Sequence, residues 1–98
     1  MRLAILLASG PESDNARTAK GLAAAAAGRG HDVFLFFNAD GVTAAASLSS
    51  LQQVGVRMAA CAHSARQRGV TPVAGVRWGG QLDWAEAVHD ANRVIALD

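Results

Sequence analysis

The sequence predicts an α/β protein with a single doubly wound, mainly parallel sheet of five strands and helices on both faces. Short apolar runs alternate with helix-like stretches along the chain, the order typical of parallel βαβ units. The first two runs, residues 3–8 and 33–37, are continuously apolar, as strands buried on both faces are. No linker or internal repeat divides the 98 residues, so we expect one domain over residues 1–98.

The N-terminal third predicts a strand followed by a long helix. Residues 3–8 form the strand, and Ser-Gly-Pro at residues 9–11 breaks it. Ser13 or Asp14 can then cap a helix that runs up to the glycine-rich segment 28–30. Small side chains on its expected inner face would let this helix lie close to the sheet: Ala16, Ala19, Leu22, Ala23 and Ala26.

The middle of the chain contains the second strand and one ambiguous segment. Residues 33–37 are the most hydrophobic run, and Asn-Ala-Asp-Gly at 38–41 is a turn signal. Residues 43–53 are compatible with a short helix that has Leu48 and Leu51 inward. The serines in the middle of this segment equally favour a mobile loop.

The C-terminal half predicts three further strands. Residues 54–60 form a strand that leads into Cys61, and a helix over 62–68 follows it. A fourth strand over 72–78 is interrupted by a glycine, and residues 93–97 form the fifth. Between these last two strands we expect a helix over 81–91. Its apolar face would contain Leu82, Ala85 and Val88, with Trp84 beside them.

Composition excludes several classes of function. A net charge of +1 provides no basic surface for direct nucleic-acid contact or for a membrane. A single cysteine forms no internal disulfide, and no Cys/His group has zinc-ligand spacing. The apolar start is too short for a signal peptide, and no run is long enough to cross a bilayer. We therefore expect a cytoplasmic protein without a metal site.

Cys61 is the principal candidate for chemistry. It lies between a predicted strand and a predicted helix, and ligands of open α/β sheets bind at the carboxyl ends of the strands. A helix N-terminus also lowers the pKa of a thiol. A free cysteine is equally often a small buried packing residue, so spacing alone leaves both interpretations open.

The other residues near these strand ends each have a structural alternative. His63 is either an exposed residue of the first helical turn or a general base. Ser64 either begins the helix or forms a hydrogen bond near the thiol, and Arg68 either is solvated or contributes positive potential. Asp40 belongs first to a turn, and Trp78 can line a pocket or an interface.

Several short segments, taken in order, resemble the DsrE/DsrF-like family of small sulfur-relay proteins, which includes TusD-type subunits. The resemblance covers nearly the whole chain. The matching segments are Gly30-His31, Phe36-Phe37, Asp40-Gly41-Val42, Gly55-Val56, Cys61, Arg68-Gly69-Val70, Gly80, Leu82, Glu86-Ala87 and Arg93-Val94.

The resemblance implies a three-layer, flavodoxin-like fold and a sulfur carrier or sulfurtransferase. Cys61 would accept sulfane sulfur as a persulfide and pass it to a partner thiol, without a metal or organic cofactor. Donor and acceptor proteins with reactive thiols would be its partners, together with identical or related subunits in a trimer or hexamer. The residues expected around the substrate are Asp40, Gly41, His63, Ser64, Arg68 and Trp78.

Two other functions stay open. The first is a non-enzymatic binding or assembly subunit of the same fold, in which Cys61 is structural. The second is a nucleotide- or flavin-binding module, although residues 9–11 lack the glycine patterns of phosphate-binding loops.

The chain also departs from the family pattern. Some relatives carry a second cysteine three residues after the first, where this chain has Ser64. An internal disulfide exchange is therefore excluded, and a resolving thiol would come from a partner. The stretch between Val42 and Val54 is shorter than in TusD-type chains, which affects the expected choice of partner.

Overall fold

A computed structural model describes residues 1–98 as one five-stranded sheet with helices on both faces. Every strand pair is parallel, in the order β4-β3-β2-β1-β5, which confirms the predicted fold class. The helices and strands are β1 (Arg2–Leu7), α1 (Asp14–Gly28), β2 (Asp32–Phe37), α2 (Ala45–Leu48), β3 (Arg57–Cys61), α3 (Ala62–Gln67), β4 (Arg77–Gly79), α4 (Gln81–Asp90) and β5 (Arg93–Leu97).

The main core lies on one face of this sheet. Successive residues of a strand point to opposite faces of the sheet. Every second side chain of β1, starting at Leu3, and of β2, ending at Phe37, projects into this core. The alanines of α1 pack against them as predicted, and Ser13 caps the helix by accepting the Ala16 N–H at 3.0 Å. These contacts place the carboxyl ends of the strands along one rigid edge.

The opposite face has a smaller core that contains Cys61. Phe36, Ala59 and Cys61 form its buried centre, and Trp84 of α4 packs against them. The Trp84 and Phe36 rings stack with their centroids 6.0 Å apart. No residue of α4 is buried, so this face has a much thinner cover than the other.

The ambiguous segment between β2 and β3 is helical. Two 3₁₀ segments, Ala39–Ala44 and Ser49–Val54, flank the single turn of α2. Leu48 and Leu51 face inward as expected. The serines that favoured a loop are accommodated because two of them, Ser47 and Ser49, donate to carbonyls three residues earlier.

Two predicted strand boundaries are wrong. The third strand begins at Arg57 rather than at residue 54, because Gly55 ends the preceding 3₁₀ segment with φ at +90°. The fourth strand contains only Arg77–Gly79 instead of residues 72–78. Proline lacks an N–H for a strand ladder, and Gly75 adopts a φ of +83°, so the chain enters the sheet late.

The predicted inner face of α4 is also wrong. Leu82 is 70% exposed and Val88 is 39% exposed, whereas Trp84 faces the sheet. Side chains two positions apart on a helix point in directions about 200° apart. The contact of Trp84 with Phe36 therefore turns Leu82 outward. The large aromatic ring, rather than the spacing of small apolar residues, determines which side of α4 contacts the sheet.

Candidate functional site around Cys61

Cys61 is the last residue of β3 and the N-cap of α3, at the carboxyl edge of the sheet. Its neighbour in the β3–β4 ladder is Gly79. The side chain is 6% exposed and lies in the smaller core with Phe36 and Trp84. The predicted strand-to-helix position is therefore present, with the sulfur beneath the first turn of α4.

Hydrogen-bond donors around the sulfur lower the pKa of Cys61. Burial alone would raise this pKa, because it removes water from the thiolate. The hydroxyl and backbone N–H of Ser64, the side chain of Gln81 and the backbone N–H of His63 outweigh burial by stabilising the anion. The site thus favours a thiolate more than free cysteine does, although little of it faces solvent.

Ser64 connects the thiol to the loop after β2. It is the one buried polar residue of the chain, and its Oγ accepts the Ala39 N–H at 3.2 Å. Since that oxygen is the acceptor there, its own proton is free to point at the Cys61 sulfur. Ser64 therefore both fixes the adjacent loop and supplies a donor to the thiolate.

Gln81 connects the thiol to the same loop from the other side. Its Nε2 donates to Asn38 Oδ1 at 3.1 Å, and the side chain also stabilises the thiolate of Cys61. Neither residue was predicted to have a role in the site. Both lie just after strand ends, which is the signal that identifies them: Asn38 directly follows β2, and Gln81, the first residue of α4, lies two residues after the last residue of β4.

Arg68 and Asp40 pair with each other beside the site. Arg68 Nε lies 2.9 Å from Asp40 Oδ1, and a second nitrogen of the guanidinium donates to the Ser64 carbonyl at 3.2 Å. The ion pair holds the end of α3 against the 3₁₀ segment Ala39–Ala44, and the bond to Ser64 fixes the Arg68 side chain along α3. The Arg68 charge is thus directed at a carboxylate rather than at the sulfur.

The remaining predicted residues lie in three different environments. Gly41 is buried where a Cβ would overlap the Leu7 carbonyl oxygen, so it allows the 3₁₀ segment to contact β1. The His63 side chain is exposed. Trp78 packs on the main core, on the sheet face opposite to the Cys61 side chain. The structure therefore groups Cys61 with Ser64 and with the missed Gln81.

The first turn of α4 is fixed by Asp83. This carboxylate accepts the Gly80 N–H at 2.9 Å and pairs with Arg77 at 3.2 Å. A Cβ at Gly79 would displace the Asp83 carboxylate from its present position. The cover over Cys61 is consequently held by a few polar bonds and by the stacking of Trp84.

No group of three or more His, Cys, Asp or Glu side chains is arranged to hold a metal ion. A cleft of about 460 Å³ does exist, but its lining includes Arg2, Asp32 and Arg57, at the amino ends of the strands. None of the helices is long and apolar enough to cross a membrane.

Comparison with known proteins agrees with this fold. The chain is similar in structure to the YchN protein of E. coli, with a TM-score of 0.85 and 20% identity over 99% of each chain. That similarity shows a common fold. No protein of curated function matches the sequence. The family model described as "DsrE/DsrF-like family" matches residues 1–97. The chain therefore belongs to the DsrE/DsrF-like family, which is associated with sulfur relay.

Proposed function

We propose that this protein is a sulfur carrier with sulfurtransferase activity. Cys61 accepts sulfane sulfur as a persulfide and passes it to a thiol of a partner protein. The supporting observation is the position of Cys61 at the carboxyl edge of the sheet, among donors that lower its thiol pKa. Membership of a family associated with sulfur relay agrees with this chemistry.

The transfer takes two steps that need no external oxidant or reductant. The Cys61 thiolate attacks the outer sulfur of a donor persulfide, a new S–S bond forms at Cys61, and the donor leaves as a thiolate. An acceptor thiolate then attacks the same outer sulfur, and Cys61 leaves with the electron pair as a thiolate again. One sulfur atom moves at an unchanged oxidation state.

Ser64 and Gln81 assist both steps through the charge on Cys61. Their hydrogen bonds stabilise the thiolate that attacks the donor and that later leaves from the persulfide. Because position 64 holds serine, the chain has no second thiol to release the sulfur as a disulfide. The acceptor thiol therefore belongs to another protein.

Access to the sulfur requires movement of the first turn of α4. Cys61 is 6% exposed, and α4 has no buried residue. The interactions to be broken are the Gln81–Asn38 hydrogen bond, the Arg77–Asp83 ion pair and the stacking of Trp84 on Phe36. Each is worth about 1 kcal/mol, so opening costs little compared with unfolding the sheet.

Mass spectrometry of the intact protein tests the proposal. After incubation with glutathione persulfide, Cys61 should gain one sulfur atom, and a second protein thiol should then remove it. The Cys61→Ser variant is the control and should gain none. If Cys61 is alkylated in the folded protein but never gains sulfur, the carrier function is wrong.

The second candidate is a non-enzymatic assembly subunit with a structural Cys61. The low exposure of the sulfur and its contacts with Phe36 and Trp84 favour it. In that case Cys61→Ser would lower the melting temperature or change assembly, while sulfur transfer in the cell would stay unchanged. Measuring both properties for one variant separates the two functions.

The proposed partners follow from the carrier function. We place the protein in the cytoplasm, with donor and acceptor proteins that carry reactive thiols, in an assembly of identical or related subunits. A trimer or hexamer is expected from the family resemblance. Light scattering after gel filtration measures the mass of the assembly directly.

A further inference from the structure

The Asp83 carboxylate lies over β4, directly beside the Cys61 site. A Cβ at Gly79 would overlap Asp83 Oδ2, so the carboxylate rests on the backbone at the bare Cα of this glycine. Gly79 is the neighbour of Cys61 in the β3–β4 ladder. Since neighbouring strands are about 4.8 Å apart, Asp83 lies one strand away from the residue that carries the sulfur.

Asp83 makes two bonds that join different parts of the chain. Its Oδ2 accepts the Gly80 N–H at 2.9 Å, which closes the first turn of α4. Its Oδ1 lies 3.2 Å from Nε of Arg77 in β4. The hydrogen bond lies within the turn and persists when the turn moves as a unit. The ion pair is therefore the bond of Asp83 that fastens the turn to the sheet.

This ion pair is the only one that α4 makes. The four others join Arg2 and Arg57 to Asp32, Arg17 to Asp14, and Arg68 to Asp40.

The two members of the pair differ in exposure. The Asp83 side chain is 21% exposed, whereas the Arg77 side chain is 74% exposed. Dissolved ions therefore reach the guanidinium and screen its attraction to the carboxylate. The other ties of the first turn, the Gln81–Asn38 hydrogen bond and the stacking of Trp84, join uncharged groups.

We propose that the Arg77–Asp83 ion pair controls access to the Cys61 sulfur and makes this access depend on ionic strength. With the pair formed, the first turn of α4 stays on the sheet and Gln81 stays against the sulfur. When salt screens the pair, the turn moves away more often and the sulfur becomes accessible. The inference rests on the proposed function for its biological role, but the movement itself requires no sulfur transfer.

Alkylation of Cys61 by iodoacetamide measures this movement. The reagent is uncharged, so salt does not change its own approach to the thiolate. The pH is held well above the pKa of Cys61, where the thiol is fully ionised. Raising sodium chloride from about 10 mM to about 1 M shortens the screening length from about 30 Å to about 3 Å. The wild-type rate should then rise roughly two- to five-fold, the range for an exposed ion pair.

Removal of the arginine tests the role of the ion pair. Arg77→Gln should raise the rate at low salt by the same roughly two- to five-fold and abolish its dependence on salt. Arg77→Lys keeps the charge and should retain part of that dependence. Arg57→Gln is the matched control, because it removes an exposed arginine of the neighbouring strand that pairs with Asp32 instead of α4. It should keep the wild-type rate and salt dependence.

A variant without a change of charge tests the position of the carboxylate. Gly79→Ala places a methyl group where Asp83 lies, and the flexible aspartate side chain can move aside while β4 stays paired. It should alkylate as fast at low salt as Arg77→Gln and show as little dependence on salt. Gly28→Ala, with open space around it, is the control and should behave as wild type. If Gly79→Ala disturbs the sheet by circular dichroism, Arg77→Gln still decides.

The outcomes separate this inference from the proposed function. A wild-type rate that salt does not change, including no alkylation at either concentration, overturns the inference. So does a salt dependence that Arg77→Gln leaves intact. Persulfide on Cys61 is detected independently by its mass, so either result leaves the carrier function standing. Conversely, a Cys61 that is alkylated in a salt-dependent way but never gains sulfur refutes the carrier function alone.

Discussion

Gln81 donates a hydrogen bond to Asn38 at 3.1 Å and thereby joins the first turn of α4 to the loop after β2, directly beside Cys61. The same glutamine side chain stabilises the Cys61 thiolate. One residue consequently influences both the charge of the sulfur and its cover. These two effects can be separated by the pH at which reactivity is measured.

Gln81→Ala should expose the sulfur more often. Loss of one hydrogen bond of about 0.5–1.5 kcal/mol predicts a roughly two- to ten-fold faster alkylation of Cys61. The alkylation rate should be measured at a pH well above the pKa of Cys61, where this thiol is fully ionised in both the wild type and the variant. Gln53→Ala, at an exposed glutamine, is the control. An unchanged rate at that pH would show that the first turn of α4 does not limit access.

Ser64→Ala should raise the pKa of Cys61. The hydroxyl is one of the donors that oppose the effect of burial, so its loss moves the midpoint of the alkylation rate to higher pH. The Ala39 N–H also loses its acceptor, at a cost of about 1 kcal/mol in the free energy of unfolding. Ser50→Ala, at an exposed serine, should change neither quantity. The same midpoint in both variants would refute the role of Ser64.

The stability of the wild-type protein should rise with pH through the titration of Cys61. The pKa of this thiol is lower in the folded chain than in the unfolded chain, so between the two values the folded state binds fewer protons. The stabilisation is complete above the unfolded pKa of about 8.5 and disappears as the pH falls through the folded pKa. Urea unfolding of wild type and of Cys61→Ser across this interval measures it. Parallel curves for the two proteins would contradict the lowered pKa.

Two glycine substitutions should have opposite effects on stability. Gly41→Ala places a methyl group against the Leu7 carbonyl and should destabilise the fold by about 3 kcal/mol. Gly21→Ala, in the middle of α1 with open space around it, should stabilise the fold by about 0.5–1 kcal/mol. Thermal unfolding of both variants gives the comparison. A small effect at position 41 would mean that the 3₁₀ segment can move away from β1.

The sequence was sufficient where one local signal determines the structure. Continuous apolar runs identified β1 and β2, and the spacing of small residues identified the buried face of α1. Strand β4 was predicted too long because its extent depends on pairing with β3. The segment around Gly75 precedes this pairing and does not take part in it. The inner face of α4 was predicted wrongly, because its apolar residues follow helical spacing on a side of the helix that packs against no other element.

The site was predictable only in part for a related reason. A strand end followed by a helix placed Cys61 at the correct edge. The donors from Gln81 and the loop bond of Ser64 join elements that are distant along the chain, so no local pattern specifies them. Likewise, the pairing of Arg68 with Asp40 emerges only when α3 and the preceding 3₁₀ segment are packed together.

Because α4 contributes no buried side chain, access to the Cys61 thiol and the packing of the main core are encoded in different parts of the sequence. Substitutions on this helix can change which molecules reach the sulfur, and how fast, with little effect on the main core. For protein engineering, α4 is the segment to diversify, and the β1–β2–α1 core is the segment to preserve.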